Sequence, residues 1–240
     1  MSPTGQSGFG HLLVITGNMM SGKTEEFIAR IRALERVESI RAKASQTSDT
    51  PYQKRDIGVY KHALDDRFSA TEIASHGGMR MPATPVFSAS ELLERILLDH
   101  VQIVACDEVQ FFLERERGMY VIVDVLQQLL SKGFHILAAG LDKDFRGLPF
   151  GPMGEVLAMA DERISLTSIC AKCGAPAVLP QRLINGHPAH WDDPIVFPGA
   201  EEAYEPRCRS CHVVLPPSHS AGSDSGLAQI EAAASFEDRA

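Results

Sequence analysis

Three features of the sequence predict an α/β fold: a mostly parallel sheet with helices on both faces, and a small cysteine-bearing module appended to it. Short, uninterrupted apolar runs alternate with amphipathic helical stretches through the first two thirds of the chain, the pattern of buried parallel strands and their crossover helices. The first of these runs ends in a glycine-rich turn that opens straight into a helix. Two Cys-x-x-Cys pairs, Cys170/Cys173 and Cys208/Cys211, then mark the appended module.

Met1–Gly10 lacks the charged-then-apolar layout of a secretion signal and is expected to be a flexible N-terminus ahead of an α/β domain over residues 11–168. Leu12–Thr16 is almost wholly apolar and reads as a buried strand. From Thr24 to about Arg36, Phe27, Ile31 and Leu34 recur on one helical face, and Glu25 and Glu26 favour the positive N-terminal end. Ala42–Arg55 is polar and without periodicity, so a mobile loop is expected there. It belongs to a lid or insertion over residues 42–78 that also carries a short strand at Ile57–Lys61. Ser88-Ala-Ser-Glu91 has the spacing of a capping box, opening a helix that turns Leu92, Leu93, Ile96 and Leu97 inward. Val101–Cys106 is a second buried strand, Val121–Leu130 a helix closed by Gly133, and Phe134–Ala139 a third strand. Arg163–Ile169 adds one more. The cysteine module is expected over residues 169–215. Pro216–Ala240, rich in Ser, Ala and Gly, is expected to be a disordered tail.

At 240 residues and 44% hydrophobic content, the chain can bury the core of one ordinary domain plus an appendage. A formal net charge of −8 argues against a nucleic-acid polymer as partner, because phosphate-backbone binding needs a basic footprint. It leaves room for a small phosphorylated ligand gripped locally. Apolar stretches reach only about ten residues, so no membrane partner is expected and a cytoplasmic location is. In a reducing cytoplasm disulfides do not persist, and the paired cysteines then point to metal or redox chemistry. Cys106 sits inside an apolar run and reads as a small buried side chain.

The turn Gly17-Asn18-Met19-Met20-Ser21-Gly22-Lys23-Thr24 fits G-x-x-x-x-G-K-[ST] and lies between a strand and a helix, as that motif requires. Glycines let successive backbone N–H groups turn inward around an anion, and the helix N-terminus adds its partial positive charge. Lys23 reaches the β- and γ-phosphates, and the Thr24 hydroxyl is placed for Mg²⁺. The bland alternative is a chance glycine-rich turn. Asp107 supplies the acidic partner that the motif needs at a neighbouring strand end, and Glu108, one residue beyond, is placed to take a proton from an attacking hydroxyl or water. Glu108 could otherwise be a solvated strand-end charge. The expected fold is therefore of the P-loop NTPase, RecA-like kind. Its nucleotide-binding set is Gly17 through Thr24 with Asp107, Glu108, Val109 and Gln110. Kinases, hydrolases, motors and switches all share such a core.

The strings "DEVQFF" (Asp107–Phe112) and "GLDKDFRGLPFGP" (Gly140–Pro152), following the phosphate loop and followed by the paired cysteines, closely resemble the type II thymidine kinases from about His11 to Val214. The resemblance implies transfer of a phosphoryl group from ATP to the 5′-hydroxyl of thymidine or deoxyuridine, in pyrimidine salvage. Glu108 would be the general base and Lys23 would manage the phosphates. Asp65, in "DDRFS", would join Thr24 and Asp107 near magnesium, and Arg67 would neutralise charge on the transferred group, with Arg146 a lesser candidate. Phe111 would stack on the pyrimidine. Met19, Leu141, Phe145, Phe150, Phe197, Gly199 and Tyr204 would complete the nucleoside pocket. Without the resemblance, Met19, Phe111 and Leu141 would pass as core residues, and Asp65/Arg67 as a surface pair of little consequence.

By the same resemblance Cys170, Cys173, Cys208 and Cys211 would bind a structural zinc ion. That ion would clamp the base of a lasso loop, Gly174–Arg207, whose backbone reads the pyrimidine edge around Ile195–Gly199. A redox dithiol or free thiols are the alternatives, and His212 could replace Cys211 as the fourth ligand. His76 reads as structural, and His187 and His190 as loop residues. Relatives are homotetramers inhibited by thymidine triphosphate (dTTP), and both properties are expected here. Two departures stand out. Pro180 occupies a place where many relatives carry a threonine near the base, and the segment before Asp65 is longer than usual. The competing readings are a nucleic-acid-stimulated ATPase and a zinc-ribbon binding module with an inactive phosphate loop.

Overall fold

The apolar runs pair into one six-stranded sheet in which every neighbouring pair is parallel. In the computed structural model, residues 10–45, 52–65, 70–75, 77–196 and 204–218 are described. The chain runs through β1 (His11–Gly17), α1 (Lys23–Ser45), β2 (Ile57–His62), a hairpin of β3 (Glu72–Ala74) and β4 (Arg80–Pro82), β5 (Thr84–Val86) and α2 (Ala89–Leu98). It continues through β6 (Ile103–Asp107), a 3₁₀ turn at Val109–Phe111, a small hairpin of β7 (Arg115–Glu116) and β8 (Met119–Tyr120), α3 (Val121–Ser131), β9 (His135–Gly140), α4 (Met153–Met159) and β10 (Glu162–Leu166). The sheet order is β10-β1-β9-β6-β2-β5.

Alternation along β1 shows how the sheet is covered. Leu12 and Val14 face one way, into a core shared with Leu92 and Ile96 of α2, Ile122, Val125, Leu126 and Leu129 of α3, and Met153 and Val156 of α4. Leu13 and Ile15 face the other way, against Phe27, Ile28 and Ile31 of α1 and Ile73 and Met81 of the β3–β4 hairpin. A sheet buried on both faces needs strands that are apolar throughout, which is why β1, β6 and β9 read so plainly in the sequence. The capping box holds: Ser88 Oγ accepts from Glu91 N at 3.1 Å, and the Glu91 carboxylate accepts from Phe87 N at 2.7 Å. Leu97, expected to face inward, is 47% exposed, because the stripe that packs is Ala89, Leu92 and Ile96.

The first helix is longer than its apolar stripe. Glu38 takes the inward slot after Phe27, Ile31 and Leu34, and a charge there hides the periodicity. Its side chain is fully buried because Arg55 and Tyr52 meet it: Arg55 Nη2 donates at 2.7 Å, Arg55 Nε at 3.1 Å and the Tyr52 hydroxyl at 2.5 Å. The expected mobile loop at Ala42–Arg55 is corrected accordingly. Residues to Ser45 are helical, Tyr52 and Arg55 are fastened to Glu38, and 46–51 lie outside the described residues. Likewise the segment 42–78 is not all lid, since β2 stands inside the sheet between β6 and β5.

The cysteine module is built from β11 (Ser168–Ile169), β12 (Pro176–Ala177), β13 (Leu179–Ile184), β14 (His187–Pro188) and β15 (Tyr204–Arg207), with β13 flanked by β14 and β15 in an antiparallel sheet. The expected strand at Arg163–Ile169 is split, its first part joining the main sheet and its second the module. Residues 216–218, the start of the expected tail, are hydrogen-bonded to the module. The Pro216 carbonyl meets His190 Nδ1 at 2.7 Å, and Ser218 N and Oγ donate to Asp192 at 2.9 and 2.7 Å. Residues 219–240 and the expected flexible stretch 1–9 lie outside the described residues. Among the described residues, no helix is long and apolar enough to cross a membrane.

Candidate functional site

The glycine-rich turn occupies the C-terminal end of β1, where ligands of open parallel sheets bind. Gly17 leaves the strand at φ +150°, and a Cβ there would lie 2.4 Å from the Leu166 carbonyl, so only glycine fits so close to β10. Lys23 folds back over the turn, its Nζ donating to the Asn18 carbonyl at 3.0 Å. A cleft of about 240 Å³ opens over the turn, lined by Met19 through Glu25 together with Asp65, Ile73, Ala74, Asp107, Glu108 and Leu141. Glu25 also accepts from Gly77 N at 3.1 Å, which draws the β3–β4 hairpin to the mouth of the cleft.

Asp107 closes β6 and is almost fully buried, and Glu108 follows in a left-handed conformation at φ 56° that turns the chain into the 3₁₀ turn. A non-glycine residue held there stores strain, a common property of functional positions. Burial above all, and then the Glu108 carboxylate beside it, push Asp107 up to about 8, against the Glu108 N–H that donates to it at 2.9 Å. Asp65 pushes the same way and Lys23 opposes. Two neighbouring carboxylates, one of them buried, favour a cation beside them. Asp107 and Asp65, both lining the cleft, form with the Thr24 hydroxyl a hard-oxygen donor set that fits magnesium. Asp65 is itself ion-paired at 3.1 Å with Lys61, a lysine only 1% exposed on β2 and directly across the register from Asp107. Nothing in the motif had pointed to Lys61. A lysine near the end of a strand otherwise fit for the core was the available signal.

Val109 and Gln110, expected among the nucleotide contacts, are not among the residues that line the cleft. Val109 belongs to the core, and Gln110 is fully buried behind Glu108. The Gln110 amide donates to the Glu108 carboxylate while its carbonyl accepts from Leu141 N at 3.1 Å.

Beyond Glu108 the aromatic residues gather. Phe111 is half-buried and meets the edge of Phe150 at a centroid distance of 5.7 Å, and buried His62 lies 6.0 Å from Phe111 and 4.7 Å from Phe112. Burial lowers the pKa of His62, against the carboxylates of Glu114, Glu108 and Glu91. Phe145 is buried beneath the guanidinium groups of Arg146 and Arg182. Arg146 is committed to Asp144 at 2.7 Å and is no free electrostatic catalyst. Tyr204 stands opposite Arg182, and burial raises its hydroxyl pKa. Pro180 is buried in β13 opposite Pro206. Arg67, Phe197, Gly199 and His76 lie outside the described residues.

The four module cysteines come together with their sulfurs within 4.8 Å of one another, and Cys173 and Cys208 at 3.6 Å. Four thiols at that spacing match a tetrahedral zinc shell, whose Zn–S bonds of about 2.3 Å set sulfurs a little under 4 Å apart. Burial works to raise the Cys170 thiol, but backbone N–H groups of Cys208, Lys172 and Cys173 outweigh it and leave it at about 6. One thiolate is thus favoured before any metal arrives. His212 points elsewhere, its Nε2 bonded to the Phe145 carbonyl at 2.9 Å. Cys106 is a fully buried core residue whose thiol pKa burial raises.

Comparison with known proteins bears directly on this arrangement. The thymidine kinase family model matches residues 10–212. Among solved structures, the flagellar accessory protein FlaH from Methanocaldococcus jannaschii aligns at 11% identity and a TM-score of 0.41, over 70% of this chain and 75% of that one. The Legionella pneumophila ATPase DotB aligns at 14% identity and a TM-score of 0.33, over 62% of this chain and 34% of that one. Neither structural likeness says anything about activity. The family match does: the chain belongs to the thymidine kinase family and is a kinase that phosphorylates a nucleoside.

Proposed function

We propose, from this membership of the thymidine kinase family, that the protein transfers the γ-phosphoryl group of ATP to the 5′-hydroxyl of thymidine in pyrimidine salvage. The observation that supports it most is the single cleft lined by Lys23, Thr24, Asp65, Asp107, Glu108 and Leu141. Lys23 and the backbone N–H groups of the turn bind the phosphates and hold the γ-phosphorus in line with the acceptor. Thr24, Asp65 and Asp107 would hold magnesium, which would supply charge neutralisation for the phosphates. Glu108 takes the proton of the 5′-hydroxyl as its oxygen bonds to the γ-phosphorus and the bond to the departing ADP breaks. Arg67 neutralises charge on the transferred group.

Phe111 carries the pyrimidine, supported from the side by Phe150. Met19, Leu141, Phe145, Phe197, Gly199 and Tyr204 complete the pocket, with Phe145 acting from beneath. Cys170, Cys173, Cys208 and Cys211 would hold zinc, which would fix the two ends of the loop expected to close over the base. The enzyme is cytoplasmic, a homotetramer, and inhibited by dTTP. Incubation with Mg·ATP and either thymidine or single-stranded DNA tests the proposal. Thymidine monophosphate is the expected product, whereas DNA-driven ADP release without it would favour the ATPase reading. Competition between thymidine and deoxyuridine then measures what Pro180 does to acceptor choice.

A further inference from the structure

Two hydrogen bonds from opposite ends of the first cysteine knuckle reach the phosphate loop. Ser168 Oγ, just before Cys170, donates to the Met19 carbonyl at 2.6 Å. Asn18 Nδ2 donates to the Leu179 carbonyl at 2.7 Å, in the strand that follows Cys173. Asn18, Ser168 and Leu179 are each at most 5% exposed. The other side-chain atom of Asn18, Oδ1, accepts from Met19 N at 2.8 Å, and the Asn18 carbonyl receives Lys23 Nζ. The loop residues that shape the anion cradle are therefore pinned from the cysteine module.

Phosphate binding alone does not call for these side chains, since a cradle uses backbone N–H groups that almost any residue supplies. Nor does the module carry much core of its own. Its apolar cluster is Cys170, Ala177 and Cys208, with Ala175 and Cys211 packed against it, and β11 and β12 are two residues each. A unit so small takes its rigidity from a crosslink, and a Cys₄ metal site is one. We infer that metal occupancy of the Cys170–Cys173–Cys208–Cys211 cluster and the nucleotide-binding conformation of the Gly17–Thr24 turn are thermodynamically coupled through Asn18 and Ser168, which act as positioning residues for that turn. The inference rests on the reading of the turn as the ATP site. Metal fixes β11 and the start of β13, these hold Asn18 and Met19, and the held loop binds phosphate without first having to be ordered. Coupling of this kind is reciprocal, so bound nucleotide must tighten the metal by the same factor.

The reciprocal form gives a test in the folded, full-length protein that does not read catalysis. Zinc affinity is measured by competition with a zinc-selective chelating dye, with and without saturating Mg²⁺ and a β,γ-imido analogue of ATP. Binding of the analogue is followed separately by calorimetry. The analogue is expected to tighten zinc about fivefold or more in the unaltered chain. In Ser168→Ala and in Asn18→Ala, checked for folding by circular dichroism, that ratio falls to about one. The two changes remove bonds to opposite ends of the knuckle, so if one variant fails to fold the other decides. Equal zinc affinity with and without bound analogue, or an undiminished ratio in the folded variants, overturns the coupling. An analogue that does not bind at all overturns the nucleotide-site reading, and the inference with it.

Discussion

Gln110 joins Glu108 to Leu141: its amide nitrogen donates to the Glu108 carboxylate, and its carbonyl accepts from the Leu141 N–H at 3.1 Å. One fully buried side chain thus spans the proposed base and a wall of the cleft. The crowding is tight, since a Cβ on Gly140 would fall 2.6 Å from the Gln110 carbonyl oxygen. Gln110→Leu keeps the volume but removes a hydrogen bond to a charged group, worth about 1.5–3 kcal/mol. If Glu108 acts as the base, kcat falls about 10- to 100-fold while KM for ATP stays unchanged. A raised KM for ATP with normal kcat would show that Gln110 serves the nucleotide rather than Glu108.

Glu108→Gln keeps the size and left-handed backbone demand of the residue but removes its basicity. General-base catalysis contributes about 10²–10⁴ in rate, so turnover should drop by at least the lower figure. Nucleotide affinity should hold, because Lys23 and the turn remain in place. Full turnover in this variant would remove Glu108 from the mechanism.

What the sequence made legible was whatever chemistry repeats in a local pattern. The β1–turn–α1 unit, the strand ending in Asp107 and the two cysteine pairs each declare themselves within a dozen or so residues, because strand burial, phosphate cradling and thiol ligation all impose short-range spacing. The bonds that organise the site are long-range, and their partners look ordinary one at a time. Asn18 and Leu179, or Ser168 and Met19, carry no local sign that they meet. Glu38 misled in the opposite direction. A buried charge in an apolar slot ends the periodicity that announces a helix, although the helix runs on to Ser45.

That buried charge is also a handle on stability. The Glu38 carboxylate has no exposure, and Arg55 and Tyr52 supply its hydrogen bonds. Burial alone would raise its pKa, but the bonds from Arg55 and Tyr52 outweigh that and lower it below the ordinary 4.5. A carboxylate whose folded pKa is depressed stabilises the fold above its unfolded pKa, and that contribution is lost as pH falls through the folded value. Glu38→Ala should cost about 3 kcal/mol near neutral pH, the lower end for a broken buried pair because Arg55 keeps some access to water. Urea denaturation should show the gap between the two proteins narrowing below about pH 4.5. A gap independent of pH would mean that packing, not charge, is what Glu38 contributes.

Gly17 offers a steric test of the phosphate loop. Alanine there would place its Cβ 2.4 Å from the Leu166 carbonyl and 2.8 Å from Ser21 Oγ, at a φ of +150° that side chains rarely adopt. Either β1 and β10 separate or the loop shifts. Strain of this kind costs about 1–3 kcal/mol, and the loop is the more easily moved partner. Gly17→Ala should therefore lose most of its affinity for Mg·ATP in calorimetry while its thermal midpoint falls only modestly. Unaltered ATP affinity would show that the turn does not need this approach to β10.

Cys211 and His212 are adjacent, and only one of them turns toward the thiol cluster. The Cys211 sulfur lies with those of Cys170, Cys173 and Cys208, whereas His212 Nε2 is 2.9 Å from the Phe145 carbonyl. Hydrogen bonds with the neighbouring thiols of Cys173 and Cys208 push Cys211 up to about 12, so a metal that binds there must displace its proton. Cys211→Ser should lower zinc affinity at least tenfold, read by chelator competition on the purified protein. His212→Ala should keep full zinc content and lose only about 1 kcal/mol of stability, the worth of one hydrogen bond to a main-chain carbonyl. The reverse outcome, with zinc lost in His212→Ala and retained in Cys211→Ser, would require the histidine ring to swing away from Phe145 and take the fourth position.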